Sequence, residues 1–164
     1  MRAFIAIPID PSSYMKNILS TFRQSRNIKV VEDTNVHITL KFLGDIDDDF
    51  AKKICSGLSG LKVHKFTIKT LGIGAFPNMR SPRVIFLDLQ SNDIEKLYIE
   101  IGRIVGIDKD FVPHITIGRI KAKVRIPPLE FTQEEYEAKE VCLFSSRLTP
   151  SGPIYSRVCC KALE

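Results

Sequence analysis

Val36-His37-Ile38-Thr39-Leu40-Lys41 alternates apolar and polar side chains, continues through Phe42-Leu43 and stops at Gly44, the pattern of a β-strand with one face in a core. Successive side chains of a strand point to opposite faces, so His37 and Thr39 share one face while Ile38 and Leu40 anchor the other. The pattern returns at His114-Ile115-Thr116-Ile117, and the two copies hold two of the 3 histidines in 164 residues. The duplication predicts two motif strands, near 36–43 and 114–120, turning their polar faces into one cleft. Two imidazoles and two hydroxyls converging there would suit a phosphate.

Facing a phosphodiester, two histidines form an acid and base pair: one takes a proton from the attacking nucleophile, the other returns one to the leaving oxygen. An unperturbed pKa of about 6.5 suits both roles. Thr39 and Thr116 would donate to non-bridging phosphate oxygens without adding a titrating group. Strict alternation puts Lys41 on the face of His37 and Thr39, as a further charge for the anion, and Arg119 follows the second motif as another. By the same rule Phe42 falls on the core face and outside the site. No metal is expected, because zinc needs three or four ligands and the third histidine, His64, stands in no matching pattern.

Outward from the motifs, Arg2 to Ile9 reads as a strand. Asp10-Pro11 then caps a helix to about Arg26, whose Tyr14, Ile18, Leu19 and Phe22 form one apolar face. Val30-Val31 is a short strand, and a helix from the acidic run Asp45 to Asp49 reaches about Leu58. Strands are expected at Phe66 to Phe76, with Gly72 and Gly74 marking a bend or bulge, and at Arg83 to Leu89. A helix runs from Asn92 or Asp93 to Val105 before the second motif. After a loop around Pro127-Pro128 come strands near Val141 to Leu148 and Ile154 to Leu163, split by Thr149-Pro-Ser-Gly-Pro153. The last strand is placed against the first lobe. No linker divides the chain, so residues 1–164 read as one domain of two lobes related by an internal two-fold.

A composition of 44% hydrophobic and 26% charged residues is that of a globular chain, without disordered or low-complexity regions. Lys plus Arg at 24 against Asp plus Glu at 19 leave a net charge of +5, which favours an anionic partner. Ala3 to Ile7 ends at Pro8, too short for a signal-peptide core or a membrane span, so the expected location is the cytoplasm. Cys55, Cys142, Cys159 and Cys160 lack zinc-type spacing and are read as reduced.

At the two motifs the chain resembles the two-histidine phosphoesterase superfamily. Asn35 to Gly44, Phe76-Pro77 with Pro82 to Phe86, Phe111 to Arg119, Ser146 to Tyr155 and Arg2 to Ile7 are similar to its RNA 2′,3′-cyclic phosphodiesterase branch, also called 2′-5′ RNA ligase. That resemblance implies an α+β bilobal fold with two antiparallel sheets lining a central cleft and helices outside. It further implies metal- and cofactor-free hydrolysis of RNA 2′,3′-cyclic phosphate ends, tRNA fragments among them, to 2′-phosphates by a monomer. By motif order His37 would be the proton donor and His114 the acceptor, with reverse 2′-5′ ligation on the same site. The alternatives are a non-catalytic module that holds RNA ends, and a phosphodiesterase for 2′-5′ linkages or small cyclic nucleotides.

Overall fold

A computed structural model of the chain describes residues 1–164. Its strands are β1 (Arg2–Pro8), β2 (Ile28–Val30), β3 (His37–Asp45), β4 (Phe66–Phe76), β5 (Val84–Gln90), β6 (His114–Ile120), β7 (Glu135–Ala138), β8 (Glu140–Thr149) and β9 (Gly152–Ala162). Its helices are α1 (Ser13–Arg23), α2 (Asp48–Ser59) and α3 (Ile94–Val105). None is long and apolar enough to cross a membrane.

The strands hydrogen-bond in the order β7-β4-β5-β6-β3-β1-β8-β9, all antiparallel, with β2 added beside β6. The two antiparallel sheets expected from the sequence are the two halves of this one curled sheet. They join through β3 and β6 at the single residue pair Ile38 and Ile115. Each half takes strands from both ends of the chain, as β8 and β9 return to β1 and β7 returns to β4. The final strand does lie in the first lobe.

One side of the sheet packs on the helices through a cluster of 32 buried residues. Ile5, Ile7, Ile38, Ile85, Leu87, Ile115 and Leu143 meet Leu19 and Phe22 of α1, Ile54 and Leu58 of α2, and Leu97 and Ile101 of α3. The other side carries a smaller cluster of Phe4, Ala6, Cys142 and Phe144. That side is the cleft.

Three local expectations change. The cap of α1 is Ser12, whose hydroxyl accepts from Met15 N at 3.0 Å, and not Asp10. β7 was not expected: Glu-Tyr-Glu-Ala is short and charged, as befits an edge strand. The cysteines are paired, as Cys55–Cys159 and Cys142–Cys160. Alternation along β9 explains why both bonds form. Cys159 packs against the main core and reaches α2, while Cys160 stands opposite Cys142 on β8.

Candidate active site

Pairing of Ile38 with Ile115 sets the antiparallel count, which puts His37 beside Thr116 and Thr39 beside His114. The four motif side chains thus surround the seam between the two halves of the sheet. Each histidine is fixed in the same way. His37 Nδ1–H donates to the Asn35 carbonyl at 2.6 Å, and His114 Nδ1–H donates to the Val112 carbonyl at 2.7 Å. Because a carbonyl only accepts, both rings carry their neutral-state proton on Nδ1 and keep Nε2 for chemistry. His37 Nε2 lies 2.9 Å from Thr39 Oγ1.

Aromatic rings wall the histidines. His37 packs against Phe4 at 5.2 Å and edge-on to Tyr155 at 5.4 Å between ring centroids. His114 meets Phe76 at 5.2 Å and Phe86 at 5.4 Å, and those two rings stack on each other at 4.2 Å. Burial in this wall, reinforced by the neighbouring His114 charge and opposed by the Asn35 hydrogen bond, holds the His37 pKa below its ordinary 6.5.

Both motif strands bulge directly after His-x-Thr, and the bulges decide which residues join the site. On β3 the partners of Ala6 and Ile5 are Thr39 and Lys41, so Leu40 is extra. On β6 the partners of Phe86 and Ile85 are Thr116 and Gly118, so Ile117 is extra. An inserted residue shifts the period-2 alternation by one. Lys41, expected in the cleft, therefore pairs with core-facing Ile5 on the helix side. Its Nζ donates to Asp108 Oδ1 at 2.7 Å, with the side chain 15% exposed.

Phe42, expected in the core, pairs instead with Phe4 on the cleft side at 6.1 Å and is 71% exposed. Arg119 reaches the cleft by the matching shift on β6, opposite Val84 and beside Lys29. Phe42 and Arg119 follow their histidines at the same distance, so the internal two-fold presents an aromatic ring at one end of the cleft and a cation at the other. Alternation alone does not locate either bulge.

The loop leading into His114 is braced from behind. Tyr98 stacks on Phe111 at 4.0 Å and its hydroxyl donates to the Asp108 carbonyl at 2.9 Å, while Lys41 holds the Asp108 carboxylate. Lys41 thus fastens β3 to the segment that presents the other histidine. His64 lies apart, its Nδ1–H donating to the Glu164 carbonyl at 2.7 Å, in an outer groove with Lys62, Lys65, Lys96 and Arg103.

The model of the LigT-like phosphoesterase family matches residues 7–86 and 90–155. A Methanocaldococcus jannaschii protein named RNA 2′,3′-cyclic phosphodiesterase is 36% identical over 171 residues, covering 94% of this chain and 96% of its own. One of the same name from Archaeoglobus fulgidus is 35% identical over the same coverage. Among solved structures, a Thermus thermophilus protein superposes with a TM-score of 0.85 at 28% identity, over 99% of this chain and 98% of that one. E. coli LigT complexed with 3′-AMP gives 0.78 at 25% identity, over 99% and 97%. With both His-x-Thr motifs facing one cleft and this match along nearly the whole chain, the protein belongs to the LigT-like branch of the two-histidine phosphoesterases.

Proposed function

We propose that the chain hydrolyses RNA 2′,3′-cyclic phosphate ends to 2′-phosphates, with His37 and His114 as its proton-transfer pair. What carries this is the matched anchoring of the two rings, each with Nδ1–H on a backbone carbonyl two residues earlier, so that Nε2 is the reacting nitrogen of both, that of His37 resting against the Thr39 hydroxyl. Binding a phosphate does not require two such groups; moving two protons does. The names of the relatives point to the same reaction.

In this reading His114 Nε2 takes a proton from water as the water oxygen attacks phosphorus. The bond from phosphorus to O3′ breaks, and His37, protonated on both nitrogens, returns a proton to O3′ from Nε2. The assignment of donor and acceptor follows motif order. The depressed His37 pKa means that its imidazolium forms mainly once the phosphate anion is bound beside it. Thr39, Thr116 and Arg119 stabilise the non-bridging oxygens as negative charge grows there. Lys41, tied to Asp108 on the other side of the sheet, supports the His114 loop and makes no phosphate contact. With the 5′-hydroxyl of a second RNA in place of water, the same transfers leave a 2′-5′ linkage, and their reversal cleaves it. No step in this scheme calls on a metal.

An RNA substrate, tRNA fragments included, suits an activity in the cytoplasm. The chain's two disulfides are bonds that persist in oxidising compartments and, inside cells, chiefly in hyperthermophiles. The test is incubation with cyclic-ended RNA in EDTA, with identification of the product. Turnover to the 2′-phosphate is expected, with a loss of about 10²-fold or more in His37→Ala and in His114→Ala. Full activity in either variant ends this reading, and RNA binding without turnover would make the chain an end-binding module.

A further inference from the structure

Beside the histidines lies a second pocket, which meets the seat of the cyclic phosphate at Thr116 and Arg119 and runs on from there to Lys29 and the turn between β8 and β9. It holds about 130 Å³ and is walled by Lys29 of β2, Thr116 and Arg119 of β6, Asn35, Tyr155, and the turn from Ser151 to Pro153 between β8 and β9. We propose that this pocket binds a second phosphate, the one on the 5′ side of the nucleotide that carries the cyclic end, and so makes the enzyme selective for 5′-phosphorylated or chain-linked substrates. The proposal rests on the cyclic phosphate lying at His37 and His114. A 2′,3′-cyclic phosphate closes the 3′ terminus of an RNA, so the adjoining phosphate can only be on its 5′ side.

The pocket is built, not incidental. Gly118 lets β2 lie against β6, since a Cβ there would stand 2.8 Å from the Lys29 carbonyl oxygen. This approach sets Lys29 directly opposite Arg119 on the cleft side. Lys29 Nζ donates to the Ser151 carbonyl at 3.1 Å and Asn35 Nδ2 donates to the Pro153 carbonyl at 3.2 Å, so both hold the turn across the pocket. Gly152 at the tip has φ of 125°, which only glycine adopts without strain.

Charge agrees with the shape. Neither Lys29 nor Arg119 has a carboxylate within ion-pair distance, whereas the Lys41 charge is already satisfied. Glu32 is the one acidic residue on the wall, against two cations. Thr116 and Arg119 are shared with the catalytic cleft and Lys29 is not, so the two phosphates would occupy adjoining sites with Lys29 as the cation of the second.

The experiment compares three substrates: a nucleoside 2′,3′-cyclic phosphate with a free 5′-hydroxyl, the same compound with a 5′-phosphate, and a dinucleotide with a cyclic end. The wild type should prefer the second and third by about tenfold or more in kcat/KM, chiefly through KM and less at high salt. Lys29→Ala should bring that ratio close to one, and Lys29→Arg should keep most of it. Equal kcat/KM for the 5′-hydroxyl and 5′-phosphate compounds in the wild type would overturn the proposal, as would a preference that survives Lys29→Ala. Calorimetric binding of the same compounds to His37→Ala separates the two readings. Absence of turnover on all three tells against the catalytic role, while equal affinities with and without the 5′-phosphate tell against the pocket.

Discussion

His37 illustrates how one side chain is tuned by what surrounds it. Phe4 and Tyr155 strip it of water, and this outweighs the hydrogen bond to Asn35 that favours the protonated ring, so the free protein holds it neutral more readily than an ordinary imidazole. Losing a proton is thereby made easier and gaining one harder. The active form carries one proton on the pair beyond the neutral state, whichever ring holds it, so the acid limb of kcat/KM should lie below pH 6.5. In kcat, measured with the anion bound, that limb should move upward. An acid limb of kcat/KM at or above 6.5 would contradict the burial argument. Stability carries the same sign. The unfolded chain takes up this proton first, so the contribution from His37 is lost as pH falls from 6.5 through the depressed folded value.

At the scale of elements, most strands and all three helices were legible because their apolar spacing is regular. Ile18, Leu19 and Phe22 mark the buried face of α1, with Met15 fully buried where Tyr14 was expected, and Ile38 and Ile115 mark the buried faces of the motif strands. The face of a residue beyond a bulge was not legible. Leu40 and Ile117 are ordinary apolar residues, and the ladders of β1 and β5 that count them as extra are formed by distant sequence. Lys41 and Phe42 changed sides for that reason, while Arg119 gained the cleft. β7 escaped notice because its alternation is hidden by charge.

The close seating of β2 on β6 gives an element-scale prediction. Gly118→Ala forces a Cβ against the Lys29 carbonyl and the Val30 Cα, both backbone atoms that cannot swing aside, and should cost about 1–3 kcal/mol. Thermal melting would show the loss. Amide exchange at Val31, whose N–H donates to the Ile117 carbonyl at 2.8 Å, should quicken. An unchanged melting temperature together with unchanged Val31 exchange would mean that β2 is not held this way.

Across the whole molecule the Cys55–Cys159 bond closes a separation of 104 residues and ties α2 to the last strand. By chain entropy a loop of that size is worth up to about 4.7 kcal/mol. At about 2–4 °C per kcal/mol for a chain of this length, opening the bond should lower the melting temperature by up to about 10–20 °C. Scanning calorimetry with and without reductant, and on Cys55→Ser, measures it; coincident transitions would show that the bond adds nothing to the folded state.

The seam at Ile38 and Ile115 has a mechanical meaning. One backbone pair does not have to hold the halves of the sheet together, because ties around it do: the common core beneath, the Lys41–Asp108 ion pair, and Lys29 on the Ser151 carbonyl. Like a window framed in a braced wall, the seam leaves room for His37, Thr39, His114 and Thr116 while the bracing around it fixes their spacing.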